Sequence, residues 1–190
     1  MRIIAGKYRG RKLPESRYLR DLRPTSDKNR ENLFNILFSS KYLREIDFDL
    51  QNCDFLDVFS GSGAVAFEAL SRGVKSATLI DKNREHINLS KSTAEKFGET
   101  NIQFFAYDLS KPLISAHQQF NLVFIDPPYN KNLAVIALQN LITAGWIAAG
   151  AVIVIEHFFA ENLDDLPENL QLLEHRKYKE TIFSFLRFTN

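Results

Sequence analysis

The sequence predicts an α/β fold in which a mostly parallel sheet with crossover helices stands behind a short basic appendage. Three observations predict it. From about Asp54 onward, short apolar runs alternate with amphipathic segments, the pattern of strands joined by helices. Glycines close those segments where helices need a left-handed residue to stop. With 190 residues and 45% hydrophobic content, the chain can bury one substantial core, whereas two ordinary domains would strain its length. The expected division is an arm over residues 1–26 and one globular unit over 27–190.

The elements follow in order. Gly6 and Gly10 punctuate two short alternating stretches, Arg2 to Ala5 and Arg11 to Leu13, which read as a hairpin with Tyr8 near its turn. Pro24 disfavours helix at Arg23, and Thr25, Ser26 or Asp27 can cap the helix that follows. On that helix Leu33, Phe34, Leu37 and Phe38 form an apolar stripe for docking, with Lys28, Arg30 and Glu31 expected outside. Five buried strands are predicted at Phe55 to Phe59, Ala77 to Ile80, Ile102 to Ala106, Leu122 to Ile125 and Val152 to Ile155, as five βα units. Helices fit at Ala64 to Arg72 before Gly73, at Arg84 to Phe97 between Asn83 and Gly98, and at Leu133 to Ile142 ahead of Gly145. Two further strands, Leu170 to Glu174 and Thr181 to Phe188, make a tail hairpin.

Composition narrows the function classes. The single cysteine, Cys53, cannot form an internal disulfide, and the four histidines lack metal-ligand spacing, so no metal is expected. No apolar run approaches the roughly 20 residues that span a bilayer, and the N-terminus lacks a signal peptide's apolar stretch; the expected home is the cytoplasm. The formal net charge of +1 hides an asymmetry. Residues 1–30 hold ten Lys or Arg against three acids, a net +7, and the remainder carries −6. The basic arm reads as a nucleic-acid-facing segment.

Asp57-Val58-Phe59-Ser60-Gly61-Ser62-Gly63 leaves a predicted strand, turns on glycines and enters a helix, the context that a nucleoside-binding loop requires. Glycines matter because a side chain would hold the ligand away from the backbone. Asp81, 24 residues beyond Asp57 at the end of the second strand, can accept the ribose hydroxyls of an adenosyl group. Gly61-x-Gly63-x-x-Ala66 also matches a loose NAD fingerprint. Asp57 favours another ligand, since a carboxylate sits poorly beside a pyrophosphate and well beside the ammonium and sulfonium of S-adenosylmethionine. Asp108, just past the third strand, is a candidate acceptor for the adenine amino group or a loop cap.

Asp126-Pro127-Pro128-Tyr129 follows the fourth predicted strand directly, 69 residues after Asp57. The prolines end the strand and fix the main chain. The loop offers a carboxylate, the Pro127 carbonyl and an aromatic plane. An exocyclic amine on a nucleobase is a poor nucleophile because its lone pair is delocalised into the ring. Two acceptors, Asp126 and the Pro127 carbonyl, can hold its N–H groups and draw the nitrogen toward tetrahedral geometry, while Tyr129 replaces the lost stacking of the base. The alternative is a rigid turn with an exposed ring.

These segments resemble the RsmD family of methyltransferases, which modify the N2 amino group of a guanine in bacterial 16S ribosomal RNA. The resemblance spans nearly the whole chain, through Arg2-Ile3-Ile4-Ala5-Gly6-Lys7-Tyr8-Arg9-Gly10-Arg11-Lys12-Leu13, Leu22 to Asn35, the Asp57 to Gly63 loop, Glu68-Ala69-Leu70-Ser71-Arg72-Gly73 and Phe124 to Tyr129. Ser60 stands where a small apolar residue is common in the family, and Asp81 where Glu is common. The resemblance implies a class I S-adenosylmethionine-dependent methyltransferase (Rossmann-like) fold with strand order 3-2-1-4-5-7-6 and strand seven antiparallel. It implies cofactor contacts from Asp57, Ser60, Gly61, Ser62, Gly63, Asp81 and Asp108, and base contacts from Asp126, Pro127, Pro128 and Tyr129. Lys7, Arg9, Arg11, Lys12 and Arg23 would then hold RNA phosphates. The expected substrate is ribosomal RNA in an assembled or partly assembled small subunit, and the expected enzyme is a monomer.

Three rival readings remain. An adenine-N6 or cytosine-N4 DNA methyltransferase would share the Asp-Pro-Pro-Tyr chemistry, but little length is left for a target-recognition domain. A non-catalytic ribosome-assembly binding protein would keep the fold without needing Asp126. An NAD-dependent dehydrogenase would use the glycine loop alone.

Overall fold

The structure is a computed structural model that describes residues 1–14, 26–128, 132–159 and 166–189. Its seven strands are β1 (Asp54–Val58), β2 (Ser76–Asp81), β3 (Ile102–Ala106), β4 (Phe120–Ile125), β5 (Ile147–Phe158), β6 (Leu170–Tyr178) and β7 (Thr181–Phe188). The sheet order is β3-β2-β1-β4-β5-β7-β6, the expected class I methyltransferase order. β1 runs parallel to β2, β2 to β3 and β4 to β5, while β7 is antiparallel to both β5 and β6. The chain divides into two compact units, Met1–Tyr107 and Asp108–Asn190.

In the first unit, β1 and β2 read as near-continuous apolar runs because parallel strands are covered on both faces. Phe55, Leu56, Val58, Leu79 and Ile80 are all buried. α3 (Ala64–Ser71) is buried along its entire length. α4 (Arg84–Phe97) is capped as its sequence predicts: the Asn83 side chain accepts the Glu85 amide, and Gly98 is left-handed at the C-terminus. α1 (Asp27–Ser39) begins at Ser26, whose hydroxyl accepts the Asn29 amide at 3.1 Å, and a short α2 (Lys41–Glu45) follows it.

Two expectations about α1 are overturned. Phe38 is 51% exposed, so the docking stripe is Leu33, Phe34, Ile36 and Leu37. Arg30, expected in solvent, is fully buried. Its guanidinium donates to the Arg2 carbonyl at 2.7 Å and to Asp27 at 2.8 Å, so the charge is neutralised where it enters the interior.

Residues 1–14 form the predicted hairpin, with Arg2 and Lys12 bridged antiparallel and the Ile3 amide donating to the Arg11 carbonyl at 3.0 Å. Buried acids hold this arm to the helices. The fully buried Glu68 carboxylate accepts the amides of Ile4 (2.8 Å) and Ala5 (3.1 Å) and Nε of Arg72 (2.7 Å). The Lys7 amide donates to the Ser71 carbonyl and the Tyr8 amide to the Ser71 hydroxyl. Glu99 accepts both Lys7 Nζ (2.7 Å) and the Tyr8 hydroxyl (2.8 Å). Burial pushes the Glu99 carboxyl up, but the Lys7, Asn101 and Tyr8 donors outweigh it and hold its pKa below the usual value. Gly6 is required here, since a Cβ would lie 1.7 Å from the Ser71 carbonyl oxygen.

The second unit departs from five βα repeats, because residues 107–119, between β3 and β4, contain no helix. Pro112 lacks an amide donor for a helix interior. The loop's carbonyls are satisfied by side chains instead: Asn140 Nδ2 donates to Leu109 and Lys111, and Trp146 Nε1 to Ile114. α5 (Leu133–Thr143) follows β4. β5 and β6 extend beyond their predicted apolar centres: β5 pairs with β4 from Ile147 and with β7 through Phe158, and β6 pairs with β7 through Tyr178. Ser184 Oγ sits between His157 Nε2 (2.7 Å) and His175 Nδ1 (2.8 Å). His157 Nδ1 also lies 3.2 Å from the Phe158 carbonyl.

Glu68→Ala strips the carboxylate that accepts the Ile4 and Ala5 amides and leaves Arg72 without that partner; it is expected to cost roughly 3–5 kcal/mol in denaturant unfolding. The Glu99 contribution is pH-dependent with a definite sign. A depressed folded pKa stabilises above the unfolded value near 4.3 and loses that stabilisation as pH falls through the folded value. The difference in thermal midpoint between wild type and Glu99→Gln is therefore expected to be constant near neutrality and to shrink toward zero in stronger acid.

Candidate active site

The predicted glycine loop leaves β1 at Val58 and enters α3 at Ala64. Three of its residues have positive φ: Phe59 (62°), Gly61 (52°) and Gly63 (71°). Glycine tolerates this at little cost, whereas a phenylalanine in the left-handed region is strained. Phe59 was expected to be the last strand residue, and nothing in its identity foretells this conformation. Strain of this kind persists only where the surroundings enforce it, and it clusters at ligand-binding turns.

Buried acids enforce it here. Asp57, 2% exposed, accepts the Ala66 amide on Oδ2 at 3.1 Å and so caps α3, whose own N-cap Gly63 has no side chain to do so. Asp81 accepts the Gly61 amide on Oδ2 and the Asn83 amide on Oδ1, both at 2.8 Å, while His86 Nδ1 lies 3.3 Å from Oδ1. The Gly63 amide donates to the Ser60 carbonyl at 2.7 Å. Gly61, Gly63 and Ala66 thus spend their amides inside the protein.

This arrangement discriminates between ligands. A dinucleotide pyrophosphate needs free amides at the glycine turn and helix start. Here the Gly61 and Ala66 amides point at carboxylates and the Gly63 amide at a carbonyl, and the floor of the turn is a pair of buried acids that repels anions and attracts cations. The residues fit an S-adenosylmethionine-type ligand, with its sulfonium and ammonium. Each carboxylate oxygen has more than one lone pair, so Asp81 can hold the loop and still accept a ribose hydroxyl. Ser60 Oγ is buried with no hydrogen-bond partner among the described residues, a polar atom suited to a ligand. Ser62 is buried beside it in the turn.

Asp108, exposed, accepts the Ser110 amide (3.0 Å) and hydroxyl (2.7 Å) on Oδ1, the Asx geometry of a loop cap. In the second unit, Asp126 is half-buried, Pro127 buried and Pro128 exposed directly after β4. Tyr129 lies outside the described residues, as does Arg23. The arm's predicted phosphate contacts Lys7, Arg9, Arg11 and Lys12 are all exposed. Lys7 is paired with Glu99, and Arg11 lies over the rings of Tyr8 and Phe97 and donates to the Phe97 carbonyl. Sequence reasoning missed Glu68 and Glu99, since an isolated Glu on a helix or in a loop usually marks a solvated face.

The family model described as conserved hypothetical protein 95 matches residues 1–187. A Haemophilus influenzae relative named ribosomal RNA small subunit methyltransferase D is 34% identical over 93% of this chain and 88% of its own. The solved structure of yhhF from Escherichia coli superposes with a TM-score of 0.83 at 31% identity, covering 100% of this chain and 98% of that one. The N-methyltransferase NodS from Bradyrhizobium japonicum, solved with S-adenosyl-L-homocysteine, shares the fold with a TM-score of 0.64 at 16% identity, over 90% of each chain.

Gly63→Ala meets both a positive φ and a crowded site, with Leu79 Cδ2 at 2.7 Å and Ser90 Oγ at 3.0 Å from the added Cβ. It is expected to lose roughly 1–2 kcal/mol of stability and at least tenfold in S-adenosylmethionine affinity by calorimetry. Gly10→Ala, with φ +81° but open space around it, is expected to leave that affinity unchanged.

Proposed function

Because this chain belongs to the RsmD family of small-subunit ribosomal RNA methyltransferases, we propose that it transfers a methyl group from S-adenosylmethionine to the exocyclic N2 of a guanine in 16S ribosomal RNA. The observation that carries the reading is the half-buried Asp126 followed by the buried Pro127, a carboxylate and a carbonyl fixed by two prolines at the exit of β4.

When bound, S-adenosylmethionine supplies an electrophilic methyl on a sulfonium that leaves as a neutral thioether. The acceptor pair does the rest. Asp126 and the Pro127 carbonyl each accept one N–H of the amine, which turns its lone pair out of the ring and toward the methyl carbon. As the N–C bond forms, the nitrogen becomes acidic, and its proton passes to Asp126 or to water. Tyr129 provides a stacking face for the base, and Pro128 keeps the turn rigid. Asp57, Ser60, Gly61, Ser62, Gly63, Asp81 and Asp108 hold the methyl donor. In this reading residues 1–26 are an RNA-facing arm on a methyltransferase domain of residues 27–190. Lys7, Arg9, Arg11, Lys12 and Arg23 are its phosphate contacts, with Lys7 oriented by Glu99 and Arg11 by the Tyr8 and Phe97 rings. The substrate is an assembled or partly assembled small subunit in the cytoplasm, and the enzyme acts as a monomer. Among the described residues no helix is long and apolar enough to cross a membrane.

Purified small subunits from cells lacking this protein, incubated with it and labelled methyl donor, are expected to yield N2-methylguanine on nucleoside analysis; N6-methyladenine in DNA as the sole product would overturn the proposal. Asp126→Ala is expected to lower kcat by about 10²–10³ with methyl-donor affinity unchanged within twofold. Unchanged methyl transfer in that variant would remove Asp126 from the chemistry.

A further inference from the structure

We propose that the β6–β7 hairpin is a second RNA-binding surface, in which Arg176, Lys177 and Lys179 hold phosphates and Phe159 stacks an unpaired base beside the target nucleotide. The inference rests on the ribosomal RNA reading and adds a contact site to it.

Register within the second unit carries the placement. β4 and β5 are parallel with Ile125 beside Ile155, so Asp126 leaves the sheet at the same rim as the end of β5. Phe158 pairs with Thr181, and Thr181 pairs with Tyr178, so the hairpin turn stands at that rim too. Three strand spacings separate β4 from β6, about 14 Å, and three residues of β5 carry the turn about 10 Å beyond Ile155. A few nucleotides of single-stranded RNA bridge that distance.

The chemistry at the tip suits that partner. His175-Arg176-Lys177-Tyr178-Lys179 is a basic run in the part of the chain that is otherwise net acidic. Phe159 is 51% exposed, and its amide donates to the Glu180 carbonyl at 2.9 Å, which ties the ring to the turn. Lys177 Nζ lies 5.0 Å from the centroid of that ring, so cation and aromatic face are presented together. Glu174 fixes Arg176 through Nε at 2.6 Å, a bond that leaves the terminal nitrogens of the guanidinium for a phosphate.

Lys179 adds an independent observation. It is the first residue of the two-residue loop between β6 and β7, with φ 58°. Glycine, asparagine or aspartate is favoured at such a position, and lysine there is strained. The Lys179 side chain is exposed at the turn, one residue beyond Tyr178 and two beyond Lys177. An aromatic ring, cations around it and a rim shared with the acceptor turn describe single-strand recognition, with phosphate contacts for affinity and stacking in place of a lost neighbour.

The test combines three variants of the enzyme with small subunits as substrate. Arg176→Ala/Lys177→Ala/Lys179→Gly is expected to raise KM for the subunit roughly tenfold, with kcat and methyl-donor affinity within twofold. The salt slope of binding is expected to fall by about 2. Phe159→Ala is expected to raise KM roughly fivefold or more. Lys179→Gly alone relaxes the turn, so its thermal midpoint should not fall, and a loss of subunit affinity in that variant is not a folding effect. Unchanged KM and salt slope in the triple variant, with wild-type enzyme active on subunits, would overturn the hairpin proposal alone. Wild-type enzyme that binds S-adenosylmethionine but methylates no ribosomal RNA would overturn the underlying reading and this surface with it.

Discussion

A buried carboxylate must be met by donors, and in this protein that requirement fastens the first unit together. Glu68 lies inside α3 with no solvent to stabilise its charge. Two consecutive backbone amides of the arm and the Arg72 guanidinium supply the donors. The arm is thereby fixed by its backbone, which no substitution short of proline removes. Ser71, three residues on, repeats the pattern by bonding the Ala5 carbonyl and the Tyr8 amide. The hairpin is a docked part of the first unit, seated on the helix that also receives the glycine turn.

The same device recurs at the other end of α3. Asp57 reaches from β1 to cap the helix, and Asp81 reaches from β2 to hold the Gly61 amide. Each acid has a structural duty that would keep it in place without any ligand. That duty also pre-organises the turn: with the loop amides drawn inward, the strained Phe59 backbone is held and the acidic floor does not depend on a ligand for its shape. Structural and binding roles are alternatives when the sequence is read alone, but one carboxylate has lone pairs enough for both.

What the sequence made legible follows from which signals are local. Alternating strands and helices, the Asn83 and Ser26 caps and the glycine closures are set by neighbours within a turn or two, and they lie where periodicity predicts. The sheet order came from resemblance, since periodicity does not order strands. Arg30 and Phe38 exchanged their expected places because burial of a charge depends on a partner 28 residues away, the Arg2 carbonyl, which no local pattern reveals. The loop before β4 escaped for the same reason, its carbonyls being satisfied by Asn140 and Trp146 from distant parts of the chain. At the candidate site, Asp57, Gly61, Gly63 and Asp81 were visible because their residue types and spacing are unusual in themselves. Their hydrogen-bond partners and the strain at Phe59 were not, because both are properties of the assembled turn.

Charge counting alone would assign all RNA contact to the N-terminus, and the internal pairing argues against that. Of the cations behind its net +7, Arg30 is fully buried, Lys7 is exposed but paired with Glu99, and Arg11 is exposed with its guanidinium over the rings of Tyr8 and Phe97. A cation neutralised inside the protein releases no counterion from a phosphate, so it adds little to binding however basic the segment that carries it. The excess of positive charge in residues 1–30 is therefore partly a folding device, with Lys7 on Glu99 and Arg30 on Asp27 and the Arg2 carbonyl. An exposed cation beside an exposed ring, as Lys177 is beside Phe159, keeps its charge at the surface. Local exposure and pairing, more than net charge by segment, decide which cations a polyanion can reach.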